Sequence, residues 1–143
     1  MQNSEEIARV VVDCGFTLHK ELGPGLLESV YETVLAAMLS DAGLKADRQK
    51  PIAIEYRGIA LADAFRADLF VENSLIVEIK SVERLAPVHG KQLLTYLRLM
   101  KQPLGLLINF GAALFRDGVK RIVNGHTNFA SSRLRVHQNH ASE

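Results

Sequence analysis

Two apolar periods divide the chain. Ile7, Val10, Val11, Cys14 and Leu18 recur every three or four residues, the spacing of one helix face. Asn3-Ser4-Glu5-Glu6 ahead of them has the N-cap-x-x-Glu spacing of a capping box, and Gly23-Pro24-Gly25 stops the helix near Leu22. Proline offers no N–H to a helix interior, and glycine tolerates the backbone that ends one. After a very short turn, Leu27, Val30, Tyr31, Val34, Leu35, Met38 and Leu39 give a second helix from Leu26 to Ala42, with Gly43 as its stop. The period then falls to two. Pro51-Ile52-Ala53-Ile54-Glu55-Tyr56 predicts a first strand with a turn at Arg57-Gly58. Phe65, Ala67, Leu69 and Val71 alternate with Arg66, Asp68 and Phe70, and Leu75, Val77 and Ile79 alternate with Ile76, Glu78 and Lys80; Glu72-Asn73-Ser74 joins the two runs into a hairpin. A third helix runs from Val88 to Met100, with Leu93, Leu94, Leu97 and Met100 on its buried side, and Pro103 closes it. Leu104-Gly105-Leu106-Leu107-Ile108-Asn109-Phe110 is nearly all apolar, which suits an interior strand covered on both faces and paired in parallel through a right-handed crossover. Leu114-Phe115 and Val119 to Val123 predict a last short hairpin, and from Asn124 onward polar residues predict a loosely held tail. The reading is an α/β domain in the order α-α-β-β-β-α-β-β over 1–124, followed by a polar C-terminal tail over 125–143.

Composition narrows the partners. With 143 residues, 48% hydrophobic and 23% charged, the chain has the core of one compact domain, not of several. A formal charge of +1 excludes a protein that grips DNA or an anionic membrane by bulk charge, so an anionic partner has to be held locally. One cysteine, Cys14, makes neither an internal disulfide nor a Cys-rich zinc site, and its place on the apolar face of the first helix marks a small core residue. His19, His89, His126, His137 and His140 show no metal-binding spacing, although His89 stands just before the third helix, where it can approach a site. No signal-like or membrane-spanning apolar run is visible, and a soluble, cytoplasmic setting without a membrane partner is expected.

The hairpin register places charge. If Glu72-Asn73-Ser74 is a three-residue loop, Val71 faces Leu75, Asp68 faces Glu78 and Arg66 faces Lys80. Two acids facing each other destabilise a sheet by roughly 0.2–1 kcal/mol unless a positive charge lies between them. A divalent cation or a lysine meets that need, and Lys80, two residues after Glu78, lies on the acids' face while Phe65, Ala67, Leu69, Val71, Val77 and Ile79 occupy a separate core face. Hard Mg²⁺ or Mn²⁺ takes oxygen ligands and keeps several waters, so two carboxylates, a backbone carbonyl and a substrate phosphate suffice. Such an ion polarises a phosphoryl oxygen and acidifies a bound water, and Lys80 can orient or deprotonate that water or stabilise developing charge.

These residues carry a family resemblance. Ala67-Asp68, nine intervening residues, then Glu78-Ile79-Lys80 resembles the core of the PD-(D/E)xK nuclease superfamily, with alanine in place of the motif's proline. Gly25-Leu26-Leu27-Glu28-Ser29-Val30-Tyr31 is similar to the signature of its GxxExxY family. Gln92-Leu93-Leu94-Thr95-Tyr96 resembles the QxxxY helix motif of RecB-type and lambda-exonuclease-like members, and Gly105 to Phe110 resembles a GLLINF strand of the GxxExxY proteins. The resemblance covers about residues 5 to 124. It implies a restriction-endonuclease-like mixed sheet flanked by helices and a Mg²⁺- or Mn²⁺-dependent nuclease acting on DNA. Its implied metal ligands are Asp68, Glu78, Ile79 and Glu28, with Lys80 as the catalytic lysine, Gln92 completing the catalytic set, and Tyr31 and Tyr96 in support.

Each residue also has a plainer reading. Glu28 and Glu32 suit the solvated face of a helix, where Glu28 in the first turn complements the dipole; Glu32 is the weaker site candidate. Tyr31 packs its ring on the sheet and uses its hydroxyl to hold a polar neighbour. Asp68, Glu78 and Lys80 fit the solvent face of an exposed hairpin, Gln92 and Tyr96 a helix-surface hydrogen bond, and Arg66 either a phosphate contact or an ion pair. The alternative function is a nucleic-acid-binding or assembly module that keeps a nuclease fold with little or no catalysis, and a third is an RNA-directed enzyme. A homo-oligomer or a partner protein is compatible with so small a domain.

Overall fold

The computed structural model describes residues 3–125. Helices α1 (Ser4–Leu22) and α2 (Glu28–Asp41) precede the strands β1 (Ala46–Tyr56), β2 (Ile59–Val71) and β3 (Leu75–Lys80). Helix α3 (Pro87–Met100) then leads to β4 (Leu104–Asn109), and a single turn of helix, α4 (Phe115–Gly118), leads to β5 (Val119–Val123). The strands form one five-stranded sheet in the order β1-β2-β3-β4-β5, in which β3 and β4 run parallel and the other neighbours antiparallel. A parallel pair needs a crossover long enough to return the chain to the same end, and α3 supplies it. The result is the mixed sheet flanked by helices that the sequence predicts. Apart from Gly125, the predicted tail lies outside the described residues, as do His126, His137 and His140.

Local signals explain the helix ends. Asn3 accepts from the Glu6 N–H at 2.9 Å while Glu6 accepts from the Asn3 N–H at 3.0 Å, which completes the capping box. Helix α1 gives way at Gly23, whose φ of 75° favours glycine, and α2 begins at Glu28, with Leu26 and Leu27 left exposed in the loop before it.

Helices cover both faces of the inner part of the sheet. Ile7, Val11 and Leu18 of α1 and Tyr31, Leu35 and Leu39 of α2 pack against sheet residues that include Leu69, Val77, Ile79 and Ile108. Leu93, Leu94 and Leu97 of α3 pack on the other face, against Phe70, Ile76, Leu107 and Ile122. This corrects the expectation of one core face and one charged face in the β2–β3 hairpin. Phe70 and Ile76 share the period of Asp68 and Glu78, and α3 covers them. Phe65 and Ala67 belong to the α3-side core, whereas Leu69 and Val71 belong to the α1/α2 side, so the strand changes face at Asp68.

Three further expectations are corrected. Strand β1 begins at Ala46, ahead of Pro51, and β2 begins at Ile59, ahead of Phe65. The first six residues of β2 are exposed on both faces, which removes the burial contrast that alternation reports. Leu114-Phe115 does not begin a strand: Phe115 opens α4 and is buried against Phe110, with ring centroids 6.1 Å apart.

Candidate metal centre

The β2–β3 hairpin starts in the predicted register and then departs from it. Val71–Leu75, Phe70–Ile76 and Leu69–Val77 pair in order from the turn, and the backbone pairing ends there. The next two residues are linked through side chains. The Asp68 N–H donates to Glu78 Oε2 at 3.2 Å, and the Ile79 N–H donates to Asp68 Oδ2 at 2.8 Å. Each carboxylate thus accepts the backbone proton that a strand carbonyl would otherwise take. The Ile79 N–H points toward β2, and in an extended strand the carbonyl of the same residue points the same way. Arg66 does not reach Lys80: it pairs with Pro51 of β1 and is exposed, because the β2–β3 ladder has ended before it.

Charge at this end is finely opposed. Glu78 is buried, and burial, the Asp68 carboxylate and, less strongly, Glu32 raise its pKa to about 8. The Asp68 N–H bond and the Lys80 ammonium act in the opposite direction. Lys80 is half-buried, on the same side of β3 as Glu78 by the strand's period of two. Among the described residues no three carboxylate, imidazole or thiolate groups form a ready-made cage. Mg²⁺-class ions do not require one, since they bind through one or two carboxylates and retain water. Two opposed carboxylates, one of them buried and reluctant to ionise, are a donor set that a hard cation relieves.

The GxxExxY spacing has a physical basis here. Tyr31 is fully buried, stacked on Phe110 with centroids 4.5 Å apart and planes 3° from parallel. Its hydroxyl donates to the Gly23 carbonyl at 2.5 Å and accepts from the Leu26 N–H at 3.2 Å, pinning the loop that sets where α2 begins. Three residues earlier and exposed, Glu28 accepts from the Ser81 N–H at 3.3 Å, while the Ser81 hydroxyl donates to the Leu26 carbonyl at 2.5 Å. The residue after Lys80 is therefore tied to α2 and its loop. On the other side, Asn109 accepts from the Val82 N–H at 3.0 Å and donates to the Val82 carbonyl at 2.9 Å. Gly111 packs so closely that a Cβ there would lie 2.2 Å from the Val82 oxygen.

An open cleft of about 1030 Å³ lies against this end of the sheet, lined by Glu28, Glu32, Gln49, Asp68 and Ser81 among others. Glu78 and Lys80 do not line it. From α3, Tyr96 stacks on Phe65 at 3.8 Å, and burial raises its pKa, with the charges of Glu78 and Asp68 adding to the effect and a bond from Gln92 opposing it. Gln92 is exposed on α3 beside Tyr96.

A family model described as the PD-(D/E)XK nuclease superfamily matches residues 5–122, a span that reaches from α1 into β5. The chain belongs to the PD-(D/E)XK nuclease superfamily. No curated protein and no solved structure matches it significantly. Nucleases of this superfamily typically use divalent metals and act on nucleic acid, in accord with an oxygen-donor site at a sheet end. No helix among the described residues is long and apolar enough to cross a membrane.

Within this superfamily fold, several residues have roles that sequence reasoning missed or placed elsewhere. Glu32 is buried and engaged on both oxygens, by Arg48 Nε at 3.1 Å and Gln49 Nε2 at 2.6 Å. His89 caps α3, its Nδ1 accepting from the Ala86 N–H at 3.1 Å. Cys14, by contrast, packs partly buried against the α1/α2 core, as its place on the apolar face of α1 predicts. Asn109, inside an apolar strand run, was open to discovery as the one polar residue that a buried strand has to satisfy. Gln49 carried no such signal.

Proposed function

We propose that this chain is a Mg²⁺- or Mn²⁺-dependent deoxyribonuclease of the GxxExxY group, with a RecB/lambda-exonuclease-like core and a catalytic domain over 1–124. The observation that carries the reading is the side-chain exchange between Asp68 and Glu78 at the point where β2 and β3 stop pairing, with Lys80 beside Glu78 and Glu28 tied to Ser81. Asp68, Glu78, the Ile79 carbonyl and Glu28 are the proposed metal ligands. A bound divalent ion supplies a Lewis acid for the scissile phosphate and acidifies a water. Lys80 holds the attacking water and offsets the charge that grows on the phosphate as the water oxygen bonds to phosphorus and one ester P–O bond breaks. Gln92 and Tyr96 position the nucleic acid from α3, and Tyr31 supports Glu28 by fixing its loop. The proposed setting is cytoplasmic, with a second copy or a partner protein extending the small nucleic-acid surface.

A panel of single-stranded DNA, duplex DNA and RNA, incubated with Mg²⁺ or Mn²⁺, tests the reading. Cleavage of DNA ahead of RNA supports it; cleavage of RNA alone replaces it with an RNA-directed enzyme. A binding or assembly module without catalysis is the second reading, favoured by an open cleft that Asp68 lines while Glu78 stays buried outside it. Nucleic-acid binding with no Mn²⁺ uptake in calorimetry decides for that module.

A further inference from the structure

Beside Asp68 stands a residue whose backbone its strand does not require. Gln49 lies inside β1, between the pairs Arg48–Leu69 and Lys50–Ala67, with φ at +48°. The left-handed region is unfavourable for a residue with a Cβ, and glutamine lacks the short side chain that lets asparagine and aspartate visit it. What the conformation achieves is visible in the side chain. Gln49 Nε2 donates to Glu32 Oε1 at 2.6 Å and to Asp68 Oδ1 at 3.2 Å, using both hydrogens of one amide. The second oxygen of Glu32 accepts from Arg48 Nε, and the second oxygen of Asp68 accepts from the Ile79 N–H. Both oxygens of Asp68 are therefore held, so its carboxylate cannot rotate without breaking a bond. Glu32, buried and ion-paired with Arg48, anchors the amide.

We propose that Gln49 is a positioning residue that sets the Asp68 carboxylate for a divalent cation, with Glu32 and Arg48 as its anchor. This rests on the metal-centre reading above. Strain held in the backbone of β1 is the means by which the amide reaches both acids. Outer-shell partners of this kind affect metal affinity about 10–100-fold.

The test compares full-length wild type with Gln49→Gly and Gln49→Ala, by Mn²⁺ calorimetry and thermal unfolding of the metal-free protein. The two variants lose the same amide and differ in whether the left-handed backbone is relieved. The glycine variant is expected to unfold at a higher temperature than the alanine variant, while both bind Mn²⁺ about tenfold more weakly than wild type. Unchanged affinity in both variants overturns the role of Gln49 and leaves the metal centre standing. Affinity that recovers along with stability in the glycine variant also overturns it, since a merely structural residue behaves that way. Wild type that takes up no Mn²⁺ overturns the metal centre, and the role of Gln49 with it.

Discussion

The two ends of the β2–β3 hairpin share one alternating sequence pattern and are held together by different groups. At the turn end, backbone bonds backbone from Val71–Leu75 to Leu69–Val77, and the side chains do nothing but fill cores on either face. At the open end, Asp68 and Glu78 accept the protons themselves, and the ladder stops. The difference separates stability from the proposed chemistry within a dozen residues: the turn end stabilises the fold, and the open end gathers opposed charge.

The largest expected effect follows from that separation. Asp68→Asn keeps the shape of the side chain and removes its charge, and Lys80→Ala removes the ammonium that opposes the raised pKa of Glu78. Each is expected to lower cleavage by about 10³-fold with little change in thermal midpoint, as read by initial rates beside circular dichroism. Leu75→Ala, at the turn end, should do the reverse. It empties a fully buried position and is expected to cost about 2–5 kcal/mol in denaturant unfolding, while the folded fraction keeps its specific activity. If Leu75→Ala impairs catalysis more than stability, the two ends are not separable.

A third prediction uses pH. Glu78 titrates near 8 in the folded, metal-free chain against an ordinary value of 4.5. Between those values the folded protein binds a proton that the unfolded chain has released, so stability falls as pH rises through that window and levels off above it. Thermal midpoints recorded in chelator from pH 5 to pH 9 should therefore decline by several degrees, and Glu78→Gln should flatten the curve. The smallest change belongs to the turn: Asn73, at φ +52°, is a residue type that the left-handed region tolerates, and its replacement by glycine should shift stability by no more than about 0.5 kcal/mol without touching activity.

Much of this arrangement is legible in the sequence, for physical reasons. The capping box at Asn3 and Glu6, the Gly23-Pro24-Gly25 stop and the apolar run from Leu104 are local signals with local causes. The hairpin register follows from loop length, and it brings Asp68, Glu78 and Lys80 to one end. What escapes the sequence depends on partners far along the chain. Gln49 looks like one polar strand residue among several until Glu32 and Asp68 are placed around it. The outer part of β2 is exposed on both faces, so no burial contrast announces it. Period and register place Arg66 opposite Lys80 because they extrapolate a ladder that two carboxylates interrupt.

The most direct test of the central claim is cleavage of a labelled DNA oligonucleotide by wild type and by Lys80→Ala, each with Mg²⁺, with Mn²⁺ and with excess chelator. Wild type is expected to cleave only with the cation present, and the folded Lys80→Ala variant about 10³-fold more slowly. Cleavage that survives chelation, or that proceeds equally in Lys80→Ala, would contradict that claim.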